Sequence, residues 1–314
     1  MLQTITNRKF FFFLIGIVLF YLIFAIFSNV TQVTASLVSM NIVFIPLILL
    51  FIMMGVLVKG FRQFYLLRFN DIRIPFKQNM TIFIAGLSLT FAPAGVGAMI
   101  KCKFLNDNHS IPIRNTVPII TVEIYHEFLG MVTLIAITVL FYNTLEARIA
   151  IILGTIISAI IYANLRYPKT LYFFKKFFRR LKSLNNLMGD GDEFQKSFNV
   201  LTSVNKMLAT WALTEVSILL DLVATYLIFL SFNVSIFDFI KISQMYLTSL
   251  LLGQISFLPN GIGVTDGSFI GILAANKINL ALATSLVLVT RFIGLWFKTG
   301  IGFLALKFLK TSKQ

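Results

Sequence analysis

Residues 257–263 read Phe257-Leu258-Pro259-Asn260-Gly261-Ile262-Gly263 and interrupt an apolar segment that runs from about Phe239 to Lys277. An earlier apolar segment is interrupted in the same way by Phe91-Ala92-Pro93-Ala94-Gly95-Val96-Gly97. Both breaks hold Pro-x-Gly-x-Gly with a phenylalanine two positions upstream. Proline withholds an amide donor and glycine admits positive φ, so both places are expected to unwind. One such break is ordinary in a membrane helix. Two in corresponding places point to an internal repeat.

The surrounding chain sets the solvent. Of 314 residues, 58% are apolar and 12% charged, with a mean hydropathy of +0.88. A soluble domain carries about twice that charged share. The run Phe10 to Phe27 holds no charge and does not alternate, which argues for a helix of bilayer length and against a barrel strand. Further spans are expected at about Met40 to Val58, from Pro118 to about Tyr142, at Ile149 to Asn164, at Trp211 to Phe232, and from Ala281 to Leu309. The fold class is therefore an all-α polytopic integral membrane protein, with about six full spans and two re-entrant helical hairpins at 78–105 and 239–277. It reads as a single transmembrane domain over 1–314, with halves at about 1–164 and 211–314 joined by a basic connector at 165–210.

Charge orients this arrangement. Most of the 27 Lys and Arg residues fall on one side if both broken segments enter and leave the membrane on the same face. They cluster before the first span, over Lys59 to Lys77, at Lys101, Lys103 and Arg114, through the connector, and after Lys307. Basic loops lie in the cytoplasm, so both termini and the connector are expected there, in the cytoplasmic membrane. The first hairpin would enter from inside and the second from outside, which inverts the repeat. The net charge of +15 is thus explained by topology, and no soluble domain remains for nucleic acid. The single Cys102 excludes an intramolecular disulfide. Within the connector, Leu171 to Met188 alternates an apolar with a lysine- and arginine-rich face, the pattern of a helix lying on anionic headgroups.

Ionisable groups at membrane depth are costly unless paired. Glu123, His126, Glu127 and Gly130 share one helical face. Arg291 falls at a depth similar to Glu127, with Lys298 on its face, and Asp221 lies deep in its own span. Arg291 is expected to pair with Glu127 or, failing that, Asp221. Glu123-x-x-His126 is half of a di-iron motif, but its second half is missing, and no metal or other cofactor is expected. No Walker loop is present, and no catalytic set is visible. The glycine breaks carry the binding expectation, since unwound backbone frees amides and the half-helix beyond begins with its positive end. Pro93, Gly95, Gly97 and Lys101 would serve the first tip, with Lys103 beyond. Pro259, Gly261 and Gly263 would serve the second, where Thr265 or Asp266 caps the half-helix.

At these residues the chain resembles the lysylphosphatidylglycerol synthase transmembrane-region family, the flippase-like family. The resemblance rests on the first Pro-x-Gly-x-Gly break, on Glu123 with Glu127, on Pro-Asn-Gly-Ile-Gly-Val-Thr-Asp from Pro259 to Asp266, and on Arg291. Asn260 and Asp266 depart from the family's usual Gly and Glu, and Ile124 stands where Arg is usual. The resemblance implies a lipid flippase without a synthase domain, moving a phospholipid or polyprenyl-linked lipid. Its site would combine both glycine tips with Glu123, Glu127 and Arg291. The partner expected is thus a membrane lipid with an anionic or phosphate-bearing headgroup, with a lipid-synthesis enzyme or a second copy as further possibilities. The alternative is a non-transporting subunit that supports a glycosyltransferase or lipid-modifying enzyme.

Overall fold

The computed structural model describes residues 29–90, 96–167, 191–256 and 258–309. Among these the regular structure is entirely helical. The elements are α1 (Val30–Val38), α2 (Ile45–Phe69), α3 (Phe76–Gly86), α4 (Val96–His109), α5 (Ile113–Val139), α6 (Leu145–Arg166), α7 (Gly191–Leu201), α8 (Val204–Ser231), α9 (Phe239–Ile255), α10 (Val264–Ala275), α11 (Leu280–Arg291) and α12 (Lys298–Leu306). A π-helical segment, Phe292–Phe297, joins α11 to α12 without a break. Five helices among the described residues are long and apolar enough to cross a bilayer: 42–69, α5, α6, α8 and the continuous 280–306. The span expected at Phe10 to Phe27 lies outside the described residues, as does the amphipathic helix at Leu171 to Met188.

Both expected hairpins are present. In the first, α3 continues through a 3₁₀ turn at Leu87–Leu89, and α4 returns against it. In the second, α10 returns against α9 through a turn at Pro259–Gly261. Every arm is shorter than the roughly 20 residues that a crossing requires. The second turn holds Asn260, Gly261 and Gly263 at φ of 46°, 63° and 89°, the left-handed region that glycine enters without strain.

Other boundaries differ from the sequence reading. Helix α2 does not stop at Val58 but runs on to Phe69, which carries Lys59 and Arg62 inside the bundle. Pro118 does not open α5; the helix starts at Ile113, after Pro112, and takes Pro118 into its interior. The connector contains α7, whose Phe194, Phe198 and Leu201 are buried against α5 and α6.

Among the described residues two lobes form around the hairpins, and a third apolar core joins α5, α6, α8 and α9 at Met131, Ile135, Leu222 and Leu247. Ile228, Phe229, Ile242, Phe269, Leu273 and Leu286 form a core around the second hairpin. Leu66, Ile82, Leu105, Ile119, Ile120 and Phe198 form one around the first. Helices α2 and α8 make the most extensive contact and tie the lobes together. Small residues permit that approach: a Cβ at Gly55 would lie 3.4 Å from Asp221 Oδ1 and from the Ser217 carbonyl, the close packing that small residues allow between membrane helices. The outward face of α2, at Leu47, Leu50, Met54, Leu57 and Phe61, is exposed at helical spacing, as a surface meeting lipid tails should be.

Candidate functional site

An alternating row of charges crosses the centre of the bundle. On α2, Arg62 Nη1 donates to Glu127 Oε1 of α5 at 2.9 Å and to Thr214 Oγ1 of α8 at 2.7 Å. Lys59, one turn earlier, lies 3.4 Å from Glu127 Oε2 and 3.1 Å from Asp221 Oδ2 on α8. Lys298, the first residue of α12, reaches Asp221 Oδ1 at 2.8 Å. Arg62, Glu127, Lys59, Asp221 and Lys298 therefore link four spans in a chain of three cations and two carboxylates. Unpaired, each would cost several kcal/mol at this depth.

Beside this row lies a cavity of about 130 Å³ whose lining includes Lys59, Glu127, Asp221, Lys298, Tyr246 and Gln254. Thr225 and Thr290 add hydroxyls, and Ile52, Leu222, Ile228 and Leu247 an apolar wall. Gly294 of the π segment also borders it, and a Cβ there would meet nothing within 4 Å. π-helical turns of this kind recur at functional sites.

Two further ion pairs flank the cavity region. Lys101 of α4 donates to Glu123 of α5, with its ammonium 4.9 Å from the Phe83 ring centroid. Arg291 of α11 donates through Nε to Asp266 of α10, and its Nη1 lies 3.5 Å from the Asn260 carbonyl. All four side chains are buried. The expected pairing of Arg291 with Glu127 is thus corrected. Arg291 holds the second hairpin, and Glu127 is met by Arg62 and Lys59. Depth along a helix axis had suggested the wrong partner, because it leaves rotation about that axis unspecified.

The expected tip residues divide in two. Pro93 and Gly95 lie outside the described residues, while Gly97 is buried in the first turn of α4. At the second tip Asp266 Oδ2 accepts from the Gly263 amide at 3.0 Å, so the half-helix start is capped by its own carboxylate. Gly261 packs into the ingoing arm, where an added Cβ would lie 2.8 Å from Gly253 Cα. Pro259 is in the turn itself. Lys59 and Arg62 were missed because two charges in four residues resembled the start of a loop. The signal against that reading was the apolar series Phe61, Phe64, Tyr65, Leu66, Leu67 and Phe69, which continues the helix.

Residues 13–302 match the family described as the lysylphosphatidylglycerol synthase TM region. A UPF0104 membrane protein of Pyrococcus horikoshii is 25% identical over 323 residues, covering 94% of this chain and 95% of that protein. Two UPF0104 membrane proteins of Methanothermobacter thermautotrophicus align over shorter stretches, at 27% identity over 30% of this chain and 28% of that protein, and at 28% over 44% and 39% respectively. The paired hairpins, the buried ion pairs at Glu123 and Arg291, and a family match over nearly the whole length agree: this membrane protein belongs to the lysylphosphatidylglycerol synthase transmembrane-region family.

Proposed function

We propose that the protein moves a phosphate-bearing lipid across the cytoplasmic membrane, with the headgroup passing through the central cavity while the acyl chains stay in the bilayer. The observation that carries this reading is the charge row beside the cavity. It holds one more cation than carboxylates, in surroundings where an uncompensated charge is costly. A phosphate oxygen can take the place of Asp221 at Lys59 and Lys298 without stranding either ammonium. In this reading the chain makes and breaks no covalent bond. Its termini and basic connector face the cytoplasm.

The test is reconstitution into liposomes that carry a fluorescent phospholipid, with an impermeant quencher outside. The wild type should expose the inner-leaflet label, and Lys298→Ala should slow this by about tenfold or more, the effect of about 1.4 kcal/mol. A folded wild type that moves neither a phospholipid nor a polyprenyl phosphate would overturn the transport reading and favour a supporting subunit.

A further inference from the structure

The row of charges leaves a second group of polar atoms unexplained, on the side of α5 that faces the first hairpin. His126 is fully buried, and neither ring nitrogen has a hydrogen-bond partner among the described residues. Arg62 Nε, Gln63 Oε1 and Glu123 Oε1 are buried and equally without partners there. The opposite atoms of these side chains are engaged: Arg62 with Glu127 and Thr214, Gln63 with Asn79 at 3.0 Å, and Glu123 with Lys101. The group thus joins α2, α5 and the first hairpin.

Buried polar groups are nearly always satisfied, and exceptions call for a stated reason. Here the unmet atoms are complementary. Arg62 Nε–H and one imidazole N–H are donors, while Gln63 Oε1, Glu123 Oε1 and the other imidazole nitrogen are acceptors. A set containing both kinds is what buried water satisfies, through two to four hydrogen bonds. Glu123 and His126 are three residues apart and so neighbours on the helix surface, with Cβ atoms about 5–6 Å apart. Glu127 follows directly and lines the cavity. His126 is within electrostatic reach of both Arg62 and Glu127.

We propose that Glu123, His126 and Glu127 form a proton relay, completed by water, that connects the first hairpin with the central cavity. A proton bound by Glu123 passes through water to one ring nitrogen of His126. The other nitrogen gives up its own proton towards Glu127, which leaves the ring in the opposite tautomer, and a half-turn of the imidazole about its Cβ–Cγ bond resets it. The net transfer is one proton: an O–H is lost at Glu123 and one is formed at Glu127, and His126 exchanges one N–H for another. While Glu127 is protonated, Lys59 and Arg62 lose a counter-charge, and Lys59 becomes available to an anion in the cavity. Release of the proton restores the ion pairs. The charged groups facing the relay are Lys59 and Arg62 from α2, Lys101 from α4, Glu215 and Asp221 from α8, and Lys298 from α12. Coupling of the relay to cargo rests on the function proposed above; the relay itself does not.

The experiment uses the full chain in liposomes loaded with a pH-sensitive dye and driven by a potassium diffusion potential. Wild-type protein should raise proton entry over protein-free liposomes, and His126→Gln, which keeps a polar side chain of similar size but cannot relay, should lower it at least about tenfold. Glu123→Gln should do the same. Equal flux in wild type and protein-free liposomes overturns the relay whether or not the variants fold, and so does undiminished flux in a folded His126→Gln. Lipid movement is read separately in the same preparation. Proton flux without lipid movement leaves the relay standing and removes the transport reading; lipid movement that ignores the pH gradient, with no flux, does the reverse.

Discussion

In the first hairpin the returning arm carries Lys101 and the following span Glu123; in the second the returning arm carries Asp266 and the following span Arg291. The ion pair occupies the same place in the architecture with its signs exchanged. Attraction between two charges is indifferent to such an exchange, so packing can preserve the link while its polarity drifts. The helix dipole is not indifferent. Asp266 stands in the first turn of α10, where a carboxylate is favoured, and it caps Gly263. The first turn of α4 has no acidic residue. The second half-helix is therefore neutralised by a carboxylate of its own first turn, and the first is not.

The largest expected effect breaks the second link. Arg291→Ala strands a buried Asp266 carboxylate, a loss of about 3–5 kcal/mol for this kind of pair, visible as a collapse in folded yield on size exclusion. Asp266→Ala with Arg291→Ala should recover much of it. Glu127→Ala with Arg291→Ala should be no better than additive. Recovery through Glu127 instead would mean that the hairpin link is wrongly drawn.

A smaller effect separates the arms. A Cβ at Gly253 in the second hairpin would run into Thr265 Oγ1 and the Gly261 backbone, whereas one at Gly86 in the first would meet the stem of Lys101. Lysine can bend aside, and a β-branched threonine against backbone cannot. Gly253→Ala should cost about 1–3 kcal/mol by overpacking and Gly86→Ala distinctly less, measured by thermal unfolding in detergent. Equal costs would remove this distinction between the hairpins.

The smallest effect concerns how each hairpin begins. Helix α3 starts at Pro75 without a side-chain cap, but α9 starts at Asp238, whose carboxylate accepts from the Lys241 amide at 2.8 Å and the Tyr142 hydroxyl at 2.5 Å. The Tyr142 bond, more than any other influence, holds the Asp238 carboxyl below its usual range. A depressed carboxylate contributes stability above its unfolded pKa and loses it as pH falls through the folded value. Acid should therefore loosen the second hairpin first, below about pH 4, seen as faster amide exchange near Phe239. Asp238→Asn should abolish that pH dependence. Exchange that rises equally in both hairpins would place the acid-sensitive group elsewhere.

Helical class, the second break and the hairpins were legible because they depend on local chemistry: apolar runs, proline and glycine. Partners across the bundle were not. The apolar series after Lys59 continues the helix, but the partners of Lys59 and Arg62, Glu127 and Asp221, stand on neighbouring spans, and nothing within ten residues of Lys59 announces them. Asp266 was read as a cap and is one, since capping is a contact at short range. Its second bond, to Arg291, needed the fold. Helix α7 was hidden in a basic connector although Phe194, Phe198 and Leu201 stand at helical spacing, because charge dominated the reading. Gly261 looked like an open tip and proves to be packed against Gly253.

The π segment between α11 and α12 acts on the last helix as one inserted residue acts on a screw thread. In an α-helix each extra residue advances the phase of everything after it by about 100°, and the wider π turn takes up one residue without that advance. Arg291, before the segment, addresses the second hairpin. Lys298, just after it, addresses Asp221, and Gly302 lies so close to Ser88 of the first hairpin that a Cβ would strike the backbone. Were the same six residues, Phe292–Phe297, ordinary α-helix, Lys298 and Gly302 would both be turned away by about that angle. A single residue thus sets the azimuth at which one helix meets two hairpins.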